Sequence, residues 1–114
     1  MQGPVYTIDV AHPPRHPDRV EEELHDAVRR VRASGDYRIL KVIHGYGSTG
    51  KGGSTATVAR NWAFRHRARF RAIINGEEYT PFDATTQEMR TAVGPYSDPD
   101  LLHGNAGILI VWVQ

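Results

Sequence analysis

The chain has no cysteine, which removes disulfides, thiolate nucleophiles and cysteine-ligated metals from its chemistry. It also lacks any long apolar stretch. The longest strongly apolar run, Ile108 to Val113, falls far short of the roughly 20 residues that a membrane helix needs. Its first residues carry neither a basic start nor an apolar signal core, so the expectation is a cytoplasmic protein with no membrane partner. Net charge is small too, at +1, but the charges are segregated. Between Arg60 and Arg71 there is no acid, while Arg60, Arg65, Arg67, Arg69 and Arg71 stand close together with His66. From Gly76 to Leu101 the balance reverses, with Glu77, Glu78, Asp83, Glu88, Asp98 and Asp100 against Arg90 alone.

What is present is the composition of an ordinary globular protein. With 114 residues, 39% hydrophobic and 24% charged, the chain has the size of one domain, spanning 1–114, with enough apolar side chains for a core. Val5 to Val10 mixes β-branched and aromatic residues and reads as a strand. Ala11 to Pro17 carries three prolines and reads as a stiff loop. A helix follows from near Asp18 to just before Gly35, its apolar stripe made by Val20, Leu24, Ala27, Val28 and Val31. Arg38 to Ile43 is a second strand and Thr55 to Arg69 a second helix, with Val58, Ala59, Trp62, Ala63 and His66 on one face. Phe70 to Ile74 is a third strand, and Asn75-Gly76 signals a hairpin returning through Glu77 to Thr80. Asp83 to Val93 fits a short helix capped by Asp83 and stopped by Gly94. Pro95 to Asn105 reads as loop and Gly107 to Val113 as a buried closing strand.

This order predicts an α/β fold, a two-layer β-α-β-α-β-β sandwich on a mainly parallel sheet, with the acidic segment at about 77–103 as an insertion. In such sheets ligands bind beyond the carboxyl ends of the strands. Asp9 and His12 belong to the exit of the first strand and His44 to that of the second, so the three are expected to converge on one ligand.

The stretch His44 to Ser54 (HGYGSTGKGGS) holds five glycines in eleven residues between a strand and a helix. Gly45, Gly50 and Lys51 match a nucleotide-binding P-loop, but Gly52 stands where that loop needs a magnesium-binding hydroxyl. Exposed backbone N–H groups before a helix N-terminus still make a phosphate cradle. A run of cations on the helix leaving that cradle is what a polyanion-binding face requires. The plainer alternatives are a structural turn and a solubilising helix face. His44 is suited to acid–base work or to holding phosphate, and equally to capping the sheet. His12, His16, His25, His66 and His103 lack metal-site spacing, so neither metal nor cofactor is expected.

Together these residues resemble the Smr domain, the small MutS-related domain. Ile8-Asp9-Val10 looks like the start of its first motif, an apolar residue followed by Asp, Leu, His and Gly. His44-Gly45-Tyr46-Gly47 looks like its second, His-Gly-x-Gly, and Gly104 to Val113 is similar to its glycine-led closing strand. The resemblance covers most of the chain in order. It implies a fold like the C-terminal domain of translation initiation factor three and nucleic-acid binding, with nicking or endonuclease activity on DNA or RNA in some members. It also implies the ribosome as a partner, because some bacterial relatives act on messenger RNA at stalled ribosomes. Carried over, Asp9 takes the acidic position of the first motif, and His44, Gly45 and Gly47 take the second. The chain departs from the pattern at Ala11, where the motif has histidine, and at His12, where it has glycine. Catalysis therefore depends on His12 substituting from one position along.

The leading expectation is a nucleic-acid-binding domain held by Gly45, Tyr46, Gly47, Ser48, Gly50, Lys51, Arg60, Arg65 and Arg67. Asp9, His12 and His44 are its candidate catalytic groups. The alternatives are a small phosphate-ligand or nucleotide binder using the glycine loop, and a non-catalytic adaptor in which the acidic insertion contacts a protein.

Overall fold

The computed structural model describes residues 3–46 and 54–114. Four strands and three helices alternate: β1 (Val5–Asp9), α1 (Pro17–Ala33), β2 (Ile39–Ile43), α2 (Ser54–Arg65), β3 (Ala72–Asn75), α3 (Ala84–Val93) and β4 (Ile108–Trp112). The strands form one sheet in the order β1-β2-β4-β3. β1 and β2 pair in parallel, whereas β4 pairs antiparallel with both β2 and β3. β1, β2 and β3 run one way and β4 the other, so one of the three pairings is parallel and the sheet is mixed.

Strand alternation decides which side of the sheet each residue faces. Leu40, Val42, Leu109 and Val111 turn toward α1 and α2, joining Leu24, Val28, Trp62 and Ala63 in one core. Ile39, Ile74, Ile108, Ile110 and Trp112 turn the other way, against Tyr79, Met89 and Leu101. The expected two layers are therefore three, because α3 and the coil around it cover the second face. β4 is buried at every position, which is why Ile108–Trp112 is apolar without alternation. No helix among the described residues is long and apolar enough to cross a membrane.

Local chemistry accounts for the element ends. α1 begins with Pro17 at its first turn and the His16 ring accepting from the Asp18 N–H, and Arg30 and Arg32 face the dipole at its end. The Asp83 carboxylate caps α3 through the Thr86 N–H, and Gly94, with φ of 90°, ends it. α2 stops at Arg65 rather than Arg69, and the chain continues through a single 3-10 turn at Arg67–Arg69.

The expected return strand through Glu77 to Thr80 does not form. Gly76–Glu78 is a 3-10 turn instead, and the place beside β3 goes to β4. Gly76 sits so tightly against the start of β4 that a Cβ there would lie 1.8 Å from the Asn105 carbonyl oxygen. Its own carbonyl accepts from the Asn105 N–H at 2.8 Å, tying the turn to the approach of β4.

Candidate functional site at the carboxyl end of the parallel strands

The β1–β2 register opposes Asp9 to Ile43, so the exits of both strands do lie side by side. At the first exit the chain bends around the Asp9 carboxylate. Asp9 Oδ1 accepts from the backbone N–H of Ala11 at 2.8 Å and of His12 at 3.0 Å. Asp9 Oδ2 lies 3.0 Å from His12 Nδ1. Partial burial of Asp9 works against its charge, but the bonds from His12 and the two amides outweigh it and hold the carboxyl below its usual value. An ionised carboxylate only accepts, so the ring proton of neutral His12 sits on Nδ1 and leaves Nε2 as a base. Nε2 has no partner among the described residues, and the ring is largely exposed.

A cleft of about 310 Å³ opens beside this pair, lined by His12, Lys41, Gly45, Tyr46, Asp100 and Asn105, among others. Tyr46 holds its ring out at 77% exposure while its hydroxyl donates to Asn105 Oδ1 at 2.8 Å. The same Asn105 oxygen accepts from the Gly107 N–H at 2.8 Å. Gly45 follows β2 with φ of +77°, a conformation in which a side chain is strained, and a Cβ added there would lie 3.5 Å from that of Ala11.

His44 does not join Asp9 and His12. It follows the alternation of Leu40 and Val42 toward α1 and α2, whereas Asp9 follows Val5 and Thr7 toward the opposite face. The side chain is buried, with Nδ1 donating to its neighbour's carbonyl, Gly45 O, at 2.7 Å, and Nε2 without a partner among the described residues. Burial pushes its pKa down and the nearby Arg60 guanidinium pushes further, only partly offset by backbone carbonyls and Glu77. The imidazole is therefore held neutral, unsuited to the phosphate contact that a protonated ring would make.

This burial should register in the pH dependence of stability. Unfolded His44 takes up a proton near 6.5 but the folded side chain does so only at lower pH, so stability is full above about 6.5 and falls as the pH drops below it. His66, which burial and the neighbouring His25, Arg65 and Arg69 also depress, contributes in the same direction. Thermal denaturation between about pH 7 and pH 5 should show a shallower loss of midpoint in His44→Gln than in the parent. A slope unchanged by the substitution would refute this account of His44.

The arginine cluster is altered by the fold. Arg60 donates to Glu77 Oε1 at 2.8 Å, and Arg65 to Glu21 Oε2 at 2.9 Å. The acids missing from that stretch of sequence arrive from α1 and from the turn after β3. Arg67 donates to the Phe64 carbonyl and stacks over the Phe64 ring at 3.9 Å, and Arg71 lies over Trp112. The acidic segment is likewise used internally, since Asp98 and Asp100 both hold Lys41. Gly47, Ser48, Gly50 and Lys51, the rest of the expected binding loop, lie outside the described residues.

No local pattern in the sequence marked Lys41, Asn105 or Phe64. Asn105 meets Tyr46 and Gly76 only through the fold, and a lysine within an apolar strand reads as one more outward-facing position. No three described His, Asp or Glu side chains gather as metal ligands would. No protein-family model, curated protein or solved structure matches the chain.

Proposed function

We propose that this chain is a Smr-like nucleic-acid-binding domain that acts on single-stranded RNA at the exit of β1. One observation carries the reading. An exposed histidine, His12, is oriented by a charged Asp9, keeps Nε2 free, and shares a cleft with the exposed Tyr46 ring at the mouth of a glycine-rich loop. Tyr46 is a platform on which an unpaired base can stack, a contact worth about 1–3 kcal/mol. The sequence that follows is rich in glycine and contains Lys51, a composition suited to holding phosphate.

With RNA in the cleft, His12 Nε2 takes the proton of a ribose 2′-hydroxyl. The 2′-oxygen attacks the adjacent phosphorus, the bond from phosphorus to the 5′-oxygen breaks, and the departing oxygen takes a proton from water. The products are a 2′,3′-cyclic phosphate and a 5′-hydroxyl end. Asp9 keeps the proton on Nδ1 and stabilises the imidazolium that forms, as a carboxylate does for a histidine base elsewhere. His44 is left a structural role at the end of β2.

The test is binding of the purified chain to labelled single-stranded RNA and matched DNA over a salt series, with a denaturing gel of the same samples. Binding should weaken with salt at a logarithmic slope of about −0.7 per phosphate contacted, and cleavage should appear with RNA alone. Salt-insensitive behaviour, or no binding to either polymer, would overturn the reading. Salt-sensitive binding without products would reduce it to a nucleic-acid binder.

A further inference from the structure

β3 is an edge strand: its inner side pairs with β4, and among the described residues no strand pairs with its outer side. Alternate N–H and C=O groups along such an edge point away from the sheet and form a template for another extended chain. The residues of Ala72–Asn75 have no backbone hydrogen bond on that outer side among the described residues. Between this edge and α2 lies a groove of about 650 Å³, the largest among the clefts described. Its apolar part is formed by Phe64, Ala72 and Ile73, and its charged part by Arg60, Arg67 and Arg71. No acid lines it, and it shares no lining residue with the Asp9–His12 cleft. Phe64 is 63% exposed, an unusual position for a large aromatic, with Arg67 over one face of its ring.

We propose that this groove binds an acidic, extended peptide segment of a partner protein, which adds to β3 as a further strand. The free edge supplies main-chain hydrogen bonds, and alternate side chains of the added strand reach the Phe64–Ile73 surface. Its carboxylates meet Arg67 and Arg71, neither of which has an acidic partner among the described residues. Arg60 is already held by Glu77 and serves as one wall. A nucleic-acid strand fits less well. The Arg67 guanidinium covers a face of the Phe64 ring at 3.9 Å, where a base would have to stack, and a sugar-phosphate chain cannot satisfy a strand edge.

The probe is a dye-labelled, end-capped peptide of about eight residues alternating glutamate with valine, titrated by fluorescence anisotropy, with NMR shifts followed on the full chain. Three companion peptides complete the set: one alternates lysine with valine, and the other two carry N-methyl groups on one or the other alternate set of residues. The glutamate peptide should bind and shift the amides of 72–75 and 61–67. The lysine peptide should not bind, and N-methylation of one alternate set should weaken binding about tenfold or more by removing edge hydrogen bonds. The double variant Arg67→Glu with Arg71→Glu, shown to be folded by circular dichroism, should lose binding by a similar factor, while Asp9→Asn should leave it unchanged. Equal binding of the lysine peptide, indifference to N-methylation at either set, or shifts confined elsewhere overturns the proposal. So does absence of peptide binding, and if the arginine variant then loses affinity for single-stranded RNA, the groove is part of the nucleic-acid path instead.

Discussion

Changing His12 to alanine should lower RNA cleavage by about 10²–10⁴-fold, the usual contribution of a positioned general base, with RNA affinity largely retained. The ring is exposed and no part of either core, so its loss should leave the denaturation midpoint almost unchanged. Asp9→Asn tests the second half of the argument. The amide keeps a side-chain oxygen to accept from the Ala11 and His12 N–H groups but no longer stabilises the imidazolium, so cleavage should fall while the bend after β1 survives. By contrast His44→Gln should disturb stability and its pH dependence more than turnover in the parent pH range. Cleavage by His12→Ala at the parental rate, in preparations shown free of contaminating nuclease, would remove His12 from the mechanism. Analysis of the product ends provides an independent check, because attack by the 2′-oxygen leaves a cyclic phosphate and attack by water does not.

Replacing Lys41 with methionine should produce the largest stability loss among the substitutions considered, about 3–5 kcal/mol, or a midpoint lowered by roughly 10–20 °C. Lys41 Nζ lies 2.8 Å from Asp98 Oδ1 and 2.6 Å from Asp100 Oδ2, and the side chains of Lys41 and Asp98 are only 12% and 6% exposed. Asp98 also accepts from the Tyr79 hydroxyl at 3.0 Å, and that hydroxyl meets the Tyr96 hydroxyl at 2.9 Å. Asn105 Nδ2 donates to Asp100 Oδ1, so the network extends to Tyr46 at the candidate site. Removing the cation leaves two carboxylates facing each other with little water to screen them. Adding Asp98→Asn and Asp100→Asn to Lys41→Met should recover much of the loss, since the uncompensated charges disappear with their partner. A midpoint for Lys41→Met within about 1 °C of the parent would show that the cluster carries no net stability.

The sign of the pH effects follows from the same contacts. Burial works against the charge of Lys41, but its bonds to Asp100 and Asp98 prevail and raise its pKa. Its stabilisation is therefore complete below the ordinary value of 10.5 and lost as the pH rises through the folded value. Asp100 is desolvated yet held low by Lys41 and Asn105, so its share is present above 3.8 and lost as acid lowers the pH through its folded value. The triple variant should have flatter limbs at both extremes.

Much of the architecture was legible because it rests on local pattern. The stripe from Val20 to Val31 required a helix with one apolar face, and Asp83 and Gly94 mark the ends of α3 by chemistry that acts within a few residues. The uninterrupted apolar run of β4 required burial on both faces. The Asn75-Gly76 dipeptide misled, since a turn signal reports a change of direction and not what pairs afterwards. From Gly76 the chain makes a 3-10 turn tied by the Gly76 carbonyl to the Asn105 N–H, and β4 pairs with the inner side of β3.

The candidate site was less legible because it depends on faces and partners. The sequence by itself determined that Asp9 and His12 leave one strand, that His44 and a glycine loop leave the next, and that Gly45 enters that loop. Those properties follow from periodicity and from residue chemistry along the chain. Only the tertiary structure decided that Asp9 and His44 lie on opposite faces, that Glu77 and Glu21 neutralise Arg60 and Arg65, and that Asp98 and Asp100 enclose Lys41. The physical reason is range: helix stripes and caps act over a few residues, whereas an ion pair is set by whichever distant side chain the packing of the sheet brings within about 4 Å.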